Sequence, residues 1–507
     1  MILFVTIKMN LITKNKITWL FLLQLLLLLA LPLMPCFSEL GKLPIRIWDE
    51  ARQAHNAYEM YRSHNYWVPT FDGLPDTFGT KPAVLIWMQV ASMKLFGVNE
   101  FALRFPSAMS SWLLGILVML FVWNYFKSYH IAIVAGILLF TSEGLIRTHV
   151  ARTADFDAPL AFFSVLACVC FFVFLNNKKP IFWYLSCFAI AFAVWMKGTA
   201  GLLFLPSLLL YALLQGKVKE LLKSRHTYVG NLIFLVLVIG YYLLRNAFQP
   251  GYLSLVVKSE WQSMYLKPAQ GHAEEFWFYA INFYSKGFKY YWYLLPLGIV
   301  SIIFIKNDFI KKVALFSLCC LGGFFLIISV SATKLFWYDA PLYPFVVFLC
   351  ACFFYLIREI LVQNKVQLSQ RNAIQLFLVL ALGAFGFSIL KPRILNSEED
   401  YQEKYFYTMA TYLQEANRKN VDLSGYKFMS GQTYAPHHTF YLKQMKANGQ
   451  RVSSVVFDRL ELTDSVMLFE INMQALLLQK FYTTQLRCEN DIFAYRLDSL
   501  KSNDAKK

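Results

Sequence analysis

Five short stretches of this chain set acids beside isolated cations: Trp48-Asp49-Glu50-Ala51-Arg52, Lys81-Pro82, Arg152-Thr153-Ala154-Asp155-Phe156-Asp157, Lys197-Gly198, and Lys334 with Tyr338-Asp339. A carboxylate can take a proton from a hydroxyl, and an ammonium or guanidinium can hold a phosphate. Together they point to chemistry on a phosphate-bearing lipid at a membrane surface. Asp49 is the first candidate base, with Glu50 beside it and Asp157 as the second candidate. Lys81, Arg52, Lys197, Lys334 and Tyr338 are candidates for the phosphate, and Arg152 and Asp155 complete the set.

Each has a plainer alternative. Asp49 and Glu50 would also favour the positive end of a helix they begin. Lys81 would also serve as a snorkelling lysine, and Asp157, two residues before Pro159, as a helix cap. Lys197-Gly198 would also make a plain hairpin turn.

The elements that must position these residues cross a membrane. The 507 residues are 57% hydrophobic and 16% charged, with a mean hydropathy of +0.45. Apolar runs near ~20 residues recur, each sufficient for a ~30 Å hydrocarbon core. Eleven spans are expected, at 17–35, 107–126, 129–147, 157–175, 181–196, 199–215, 228–247, 288–305, 313–331, 338–357 and 373–390. The runs are continuous, which disfavours a β-barrel. The fold class is therefore mainly α, a polytopic helical bundle. Loops at 127–128, 176–180, 216–227, 306–312 and 358–372 gather Lys and Arg, placing them inside and the five chemical stretches outside. The net charge of +17 is then a topology signal that also suits anionic headgroups, with no call for nucleic acid.

Three external pieces remain. In 36–106, residues 48–63 read as an amphipathic helix at the membrane interface, with Ala51, Ala54, Tyr58 and Tyr61 opposite Asp49, Arg52, Asn56 and Glu59. Residues 83–97 read as a second interfacial helix, too short to cross. The segment 248–287, with Glu260, Trp261 and His272, reads as a loop on the membrane rim. From 391 to 507 the composition turns polar, and a soluble α/β domain is expected. It has helices over 398–420 and 434–447 and strands near 426–430, 453–457, 465–470 and 492–497. The division is 1–390 for the membrane part and 391–507 for the soluble tail. The N-terminal Leu-rich run reads as an uncleaved first span. Nine cysteines show no CxxC and no disulfide framework. His437-His438 reads as a pair of surface histidines. A divalent ion shared by Asp49, Asp157 and Glu260 stays open.

At these residues the chain resembles the GT-C membrane glycosyltransferases of the protein O-mannosyltransferase and aminoarabinose (ArnT-like) transferase superfamily. The resemblance rests on Trp48 to Arg52 with Glu59-Met60; Lys81-Pro82 with Trp87, Leu95-Phe96-Gly97 and Arg104-Phe105-Pro106-Ser107; Arg152 to Phe162; Lys197-Gly198; and Thr333-Lys334-Leu335 with Trp337-Tyr338 and Pro341. Ala83 stands where the family often has a second proline. The resemblance implies a polyprenyl-phosphate sugar donor and an active site on the outer, periplasmic face of a bacterial inner membrane. It also implies inversion at the anomeric carbon. A lipid phosphate leaves without a general acid, so cations must steady it and a carboxylate must take the acceptor's proton. Lipid, protein and glycan acceptors are all compatible. A flippase of lipid-linked sugars is the rival; transporters place their ionisable groups near the bilayer midplane, and these lie at helix ends.

Overall fold

The computed structural model describes residues 19–147, 149–260, 274–392, 394, 406–430, 434–489 and 492–501. Of the expectations above, 261–273, with Trp261 and His272, and the start of the tail helix at 398–405 lie outside these.

The membrane part is a bundle of apolar helices. Its longer helices are α1 (Trp19–Ala30), α2 (Asp49–Ser63), α3 (Val84–Phe96), α4 (Glu100–Phe126), α5 (Tyr129–Thr141), α6 (Asp157–Asn177), α7 (Pro180–Lys197), α8 (Leu205–Leu214) and α9 (Arg225–Phe248). After these come α10 (Leu294–Phe304), α11 (Asp308–Val330), α12 (Tyr343–Gln363) and α13 (Leu368–Lys391). Among the described residues seven helices are long and apolar enough to cross a membrane: α4, α6, α7, α9, α11, α12 and α13, of which α7 and α12 each gain a short 3-10 turn. The expected spans 17–35, 129–147, 199–215 and 288–305 correspond to shorter apolar helices of 10–17 residues. Local breakers account for this. A turn at Leu31-Pro32 interrupts the first run, and a 3-10 segment, Gly198–Leu202, takes the start of the run at 199. The count of eleven therefore stays an expectation.

Helices α4, α5, α6, α11 and α12 share one apolar core in which Leu114, Phe121, Leu138, Phe172, Phe316 and Phe348 are fully buried. By contrast α9 and α13 are mostly exposed along their apolar windows, as expected of helices facing lipid.

Helix α2 forms where its spacing predicts, and His64, left-handed at φ 58°, ends it with its N–H on the Met60 carbonyl. Most of it is covered by protein. Glu50, Ala51, Gln53, Ala54, His55, Asn56, Ala57, Tyr58 and Met60 are all buried. One side packs on α3 and the other is covered by the tail. A short hairpin follows it, β1 (Thr70–Phe71) and β2 (Leu74–Pro75).

The tail is α/β. Helices α14 (Thr408–Arg418) and α15 (Pro436–Ala447) accompany strands β3 (Tyr426–Met429), β4 (Ser453–Val455), β5 (Ser465–Leu468), β6 (Phe481–Glu489) and β7 (Ile492–Leu500). The sheet order is β4-β3-β5-β7-β6, parallel across β4-β3-β5 and antiparallel from β5 onward. Strand β6 was not foreseen, although Tyr482-Thr483-Thr484 carries β-branched and aromatic residues. The tail shares its core with the first external piece: Ala54, Tyr58, Ile86 and Leu103 cluster with Leu413, Phe440, Tyr441 and Met445.

His437 and His438, expected at the surface, are buried. Their rings lie among Phe406, Tyr407 and Phe469, because α15 turns this face into the core. Cys36 is buried and Cys488 is exposed, and both are free thiols.

Candidate functional site

The site forms where the start of α2 meets the 149–157 turn, the Lys81 turn, and the ends of α6 and α7. Trp48 precedes α2 at φ 70°, and His149 sits at φ 66°. These two bulky residues in the left-handed region flank one cluster, and such strain gathers at functional sites.

Asp49 is half-buried at the first position of α2. One ligand atom each from Asp49, His149 and Asp155 lies within 4.8 Å of the others. Asp155 is buried. Its Oδ1 accepts from Gln53 Nε2 at 3.1 Å, and its Oδ2 accepts from Thr153 Oγ1 at 2.6 Å and lies 3.2 Å from His149 Nδ1. The His149 ring stacks on Trp337, with centroids 3.8 Å apart. Burial pushes the Asp155 carboxyl up, but His149, Thr153 and Lys81 outweigh it and hold the group below the usual carboxylate range. Burial also works against the imidazolium of His149. Asp155, helped by Asp49 and Asp157, outweighs that and lifts His149 above its ordinary value.

Asp157 begins α6, but the cap position is Phe156. The Asp157 carboxylate instead takes Lys197 Nζ at 2.5 Å, and both residues are buried. Lys197 Nζ also lies 4.4 Å from the ring centroid of Tyr338, so that three expected site residues meet here. Gly198, at φ 58°, is needed for close approach: a Cβ there would stand 2.1 Å from the Glu260 carboxylate. Glu260 Oε2 accepts from the Thr199 N–H at 3.0 Å. Burial pushes the Glu260 carboxyl up despite Thr199 and Lys81.

Lys81 is half-buried, with Nζ 4.8 Å from the Phe156 ring centroid. It acts electrostatically on Asp155, Asp157, Lys197 and Glu260, which places it among them. Among the described residues no carboxylate stands within ion-pair distance of its ammonium.

The other expected site residues are spent elsewhere. Glu50 is a correction: it is buried, paired with Arg104 at 2.7 and 3.0 Å, and accepts the N–H groups of Arg46 and Ala154. Its neighbour on the helix faces the site because successive side chains diverge by about 100°. Arg52 reaches Asp76, not Asp49 or an open anion site, with contacts of 2.5 and 2.9 Å, and lies between the rings of Phe71 and Phe78. Arg152 donates to the carbonyls of Pro35 and Ser38, tying the turn to the end of the first apolar run. Lys334 Nζ donates to the carbonyls of Glu274 and Ser331. Of these cations Arg52 is paired with a carboxylate, whereas Arg152 and Lys334 are held by carbonyls. His149, Gln53 and Arg104 were not assigned roles from sequence. His149 alone carried a signal, as an imidazole in a turn already rich in acids.

Asp157 and Glu260 do not join Asp49 as an oxygen set for an ion. Among the described residues two groups could hold a divalent cation, Asp49, His149 and Asp155 in this site and His55, Glu59 and Asp72 under the tail; each offers a nitrogen and two carboxylates.

Residues 80–242 match the family model for dolichyl-phosphate-mannose-protein mannosyltransferase. The whole chain is similar in fold to ArnT from Cupriavidus metallidurans, solved with undecaprenyl phosphate, at a TM-score of 0.64 and 15% identity, covering 95% of this chain and 98% of that one. Residues 80–242 thus resemble that mannosyltransferase family, and the fold of the chain is that of ArnT. Relatives in sequence include an uncharacterised protein of Aquifex aeolicus, 27% identical over 65% of this chain and 64% of that one. Another is the undecaprenyl phosphate-alpha-4-amino-4-deoxy-L-arabinose arabinosyl transferase of Pseudomonas savastanoi, 26% identical over 50% of this chain and 47% of that protein. In both comparisons the matched segment spans less than two thirds of the relative's own length.

Proposed function

We propose that this protein is a GT-C glycosyltransferase, which transfers a sugar from a polyprenyl monophosphate to an acceptor at the outer face of a bacterial inner membrane, facing the periplasm. The observation that carries the reading is the ammonium of Lys81, uncommitted to any carboxylate yet set among Asp155, Asp157 and Lys197, with Asp49 close to Asp155. Asp49 takes the proton from the acceptor's nucleophile. That atom bonds to the anomeric carbon on one face while the bond to the phosphate oxygen breaks on the other, which inverts the centre. The electron pair leaves with the lipid phosphate, where Lys81 meets it. Asp155 and His149 orient Asp49, and the Asp157–Lys197 pair shapes the floor beside Tyr338.

Lipid A, a protein and a surface glycan are the acceptor classes. Membrane lipids surround the bundle, and the division at residue 390 separates the transferase part from a tail that closes over α2. Purified protein with a radiolabelled polyprenyl-phosphate sugar and envelope extract tests the reading: label should move to an envelope acceptor. Movement of intact lipid-linked sugar across a vesicle, without cleavage, would favour the flippase instead. An introduced thiol beside Trp48 should react with an impermeant reagent from outside the cell, and one at Lys219 should not.

A further inference from the structure

Arg245 lies in the last turn of α9 and is only 1% exposed. Its Nε and Nη1 are buried and have no hydrogen-bond partner among the described residues. The guanidinium stands 4.8 Å over the ring of Tyr252. Stacking on one ring recovers only part of what it costs to take a cation from water. A buried, unpaired guanidinium therefore weakens the fold unless something anionic meets it.

The surroundings say what that anion is. Tyr252 Oη donates to the Thr80 carbonyl at 2.7 Å, and the Ala83 N–H donates to Tyr241 Oη at 2.6 Å. Tyr241 lies one turn before Arg245 on α9. Thr80 Oγ1 also reaches Ser259 Oγ at 3.1 Å. These bonds grip the backbone on both sides of Lys81, so Arg245 is built into the back of the turn that carries the other uncommitted cation. Of the nearby acids Asp76 is engaged by Arg52, and Glu260 takes Thr199 with Oε2 while its Oε1 has no partner among the described residues; no ion pair of either with Arg245 is present among those residues. Two unpaired cations on one short framework suit a doubly charged phosphate monoester, and a guanidinium binds one with two parallel N–H donors.

We infer that Arg245 is a second phosphate-binding residue, engaging the phosphate monoester of the polyprenyl carrier together with Lys81. This rests on the proposed function. The test uses the full chain in phosphatidylcholine nanodiscs, with undecaprenyl phosphate as the probe, comparing wild type, Arg245→Lys, Arg245→Gln and Arg245→Met. Loss of a charge-assisted contact should weaken undecaprenyl phosphate binding by about 10–100-fold in the Gln and Met variants, and by less in Lys. The melting temperature without ligand should stay level or rise in Arg245→Met, since the unpaired charge is gone. Millimolar inorganic phosphate should protect the wild type against heat, but not Arg245→Gln.

Unchanged affinity in Arg245→Gln and Arg245→Met would overturn the inference, and a fallen melting temperature with unchanged affinity would assign Arg245 to packing. Equal competition by phosphatidylglycerol would assign the site to bulk lipid and overturn the monoester. If the wild type ignores undecaprenyl phosphate but inorganic phosphate still protects it through Arg245, the anion site stands and the proposed donor falls.

Discussion

At the residue scale, the division of labour turns on which charges are free. Around Asp155, Asp49 and Lys81 are an acid and a cation with no ion-pair partner among the described residues, and the two make distinct predictions. Asp49→Asn keeps the side chain's size and removes its ability to take a proton, so turnover should fall by about 10²–10⁴-fold with donor affinity nearly unchanged. If Asp157→Asn abolishes turnover while Asp49→Asn spares it, the base lies in the second acidic stretch. Lys81→Ala should weaken donor use far more than Lys81→Arg, because charge is the requirement. Small and equal effects of both changes would return Lys81 to a snorkelling role. The cluster of Asp49, His149 and Asp155 offers ligands to a divalent ion, but Lys81 and Lys197 already supply positive charge there. Turnover should therefore survive EDTA, and a loss reversed by Mn²⁺ would give the cluster to a metal.

At the element scale, the start of α2 is fixed by a pair that does no chemistry. Glu50 and Arg104 are 1% and 2% exposed, and Arg104 also donates to the carbonyls of Leu40, Leu43 and Pro44. Glu50→Gln leaves the buried guanidinium without its counter-charge and should cost about 3–5 kcal/mol of stability, the usual result of breaking such a pair. A melt unchanged in Glu50→Gln would refute this. Adjacent acids at 49 and 50 look alike in sequence, and only the fold shows that one is buried and its neighbour is not. The same holds for Arg52, whose partner Asp76 lies 24 residues on. Local signals were readable: the extents of α2, α6 and α7, the Lys81-Pro82 turn, and Gly198 beside Lys197. Pairings between distant segments were not. Nothing near Lys334 announces that carbonyls will take its ammonium, and nothing near Arg104 announces Glu50.

At the scale of the whole molecule, the tail is part of the framework around the site. Tyr441 Oη accepts the Ile45 N–H at 2.9 Å and donates to Glu100 at 2.8 Å, and Tyr434 stacks on Trp48 with centroids 5.2 Å apart. Lys443 Nζ binds Glu59 at 2.5 Å and Asp72 at 2.8 Å, and stands 3.0 Å from His55 Nδ1. Burial, with Lys443 adding to it, brings His55 down to about 4, against Pro436, Asp72 and Glu59; burial brings His437 down to about 4 as well. Both are neutral in the fold and protonate near ~6.5 once unfolded. The unfolded chain therefore binds more protons between those values, and stability falls as the pH drops from about 6.5 to 4, by up to about 1.4 kcal/mol per pH unit for each group. Thermal melts at pH 7 and pH 5 should show this loss, reduced in His55→Gln; equal melts would rule it out. The polar turn of composition after residue 390 made a tail foreseeable, but its shared core with α2 was not, since that contact joins segments at opposite ends of the sequence.

The bond from Ile45 to Tyr441 spans 396 residues of chain. A ribosome adding ~5–20 residues per second needs roughly 20–80 s to cover that distance. During that interval the helix bearing Asp49 is already made, without the partner that covers its other side. The core shared by α2 and the tail thus closes last: a prematurely terminated polypeptide would carry its apolar helices yet lack the cover over the helix that bears Asp49.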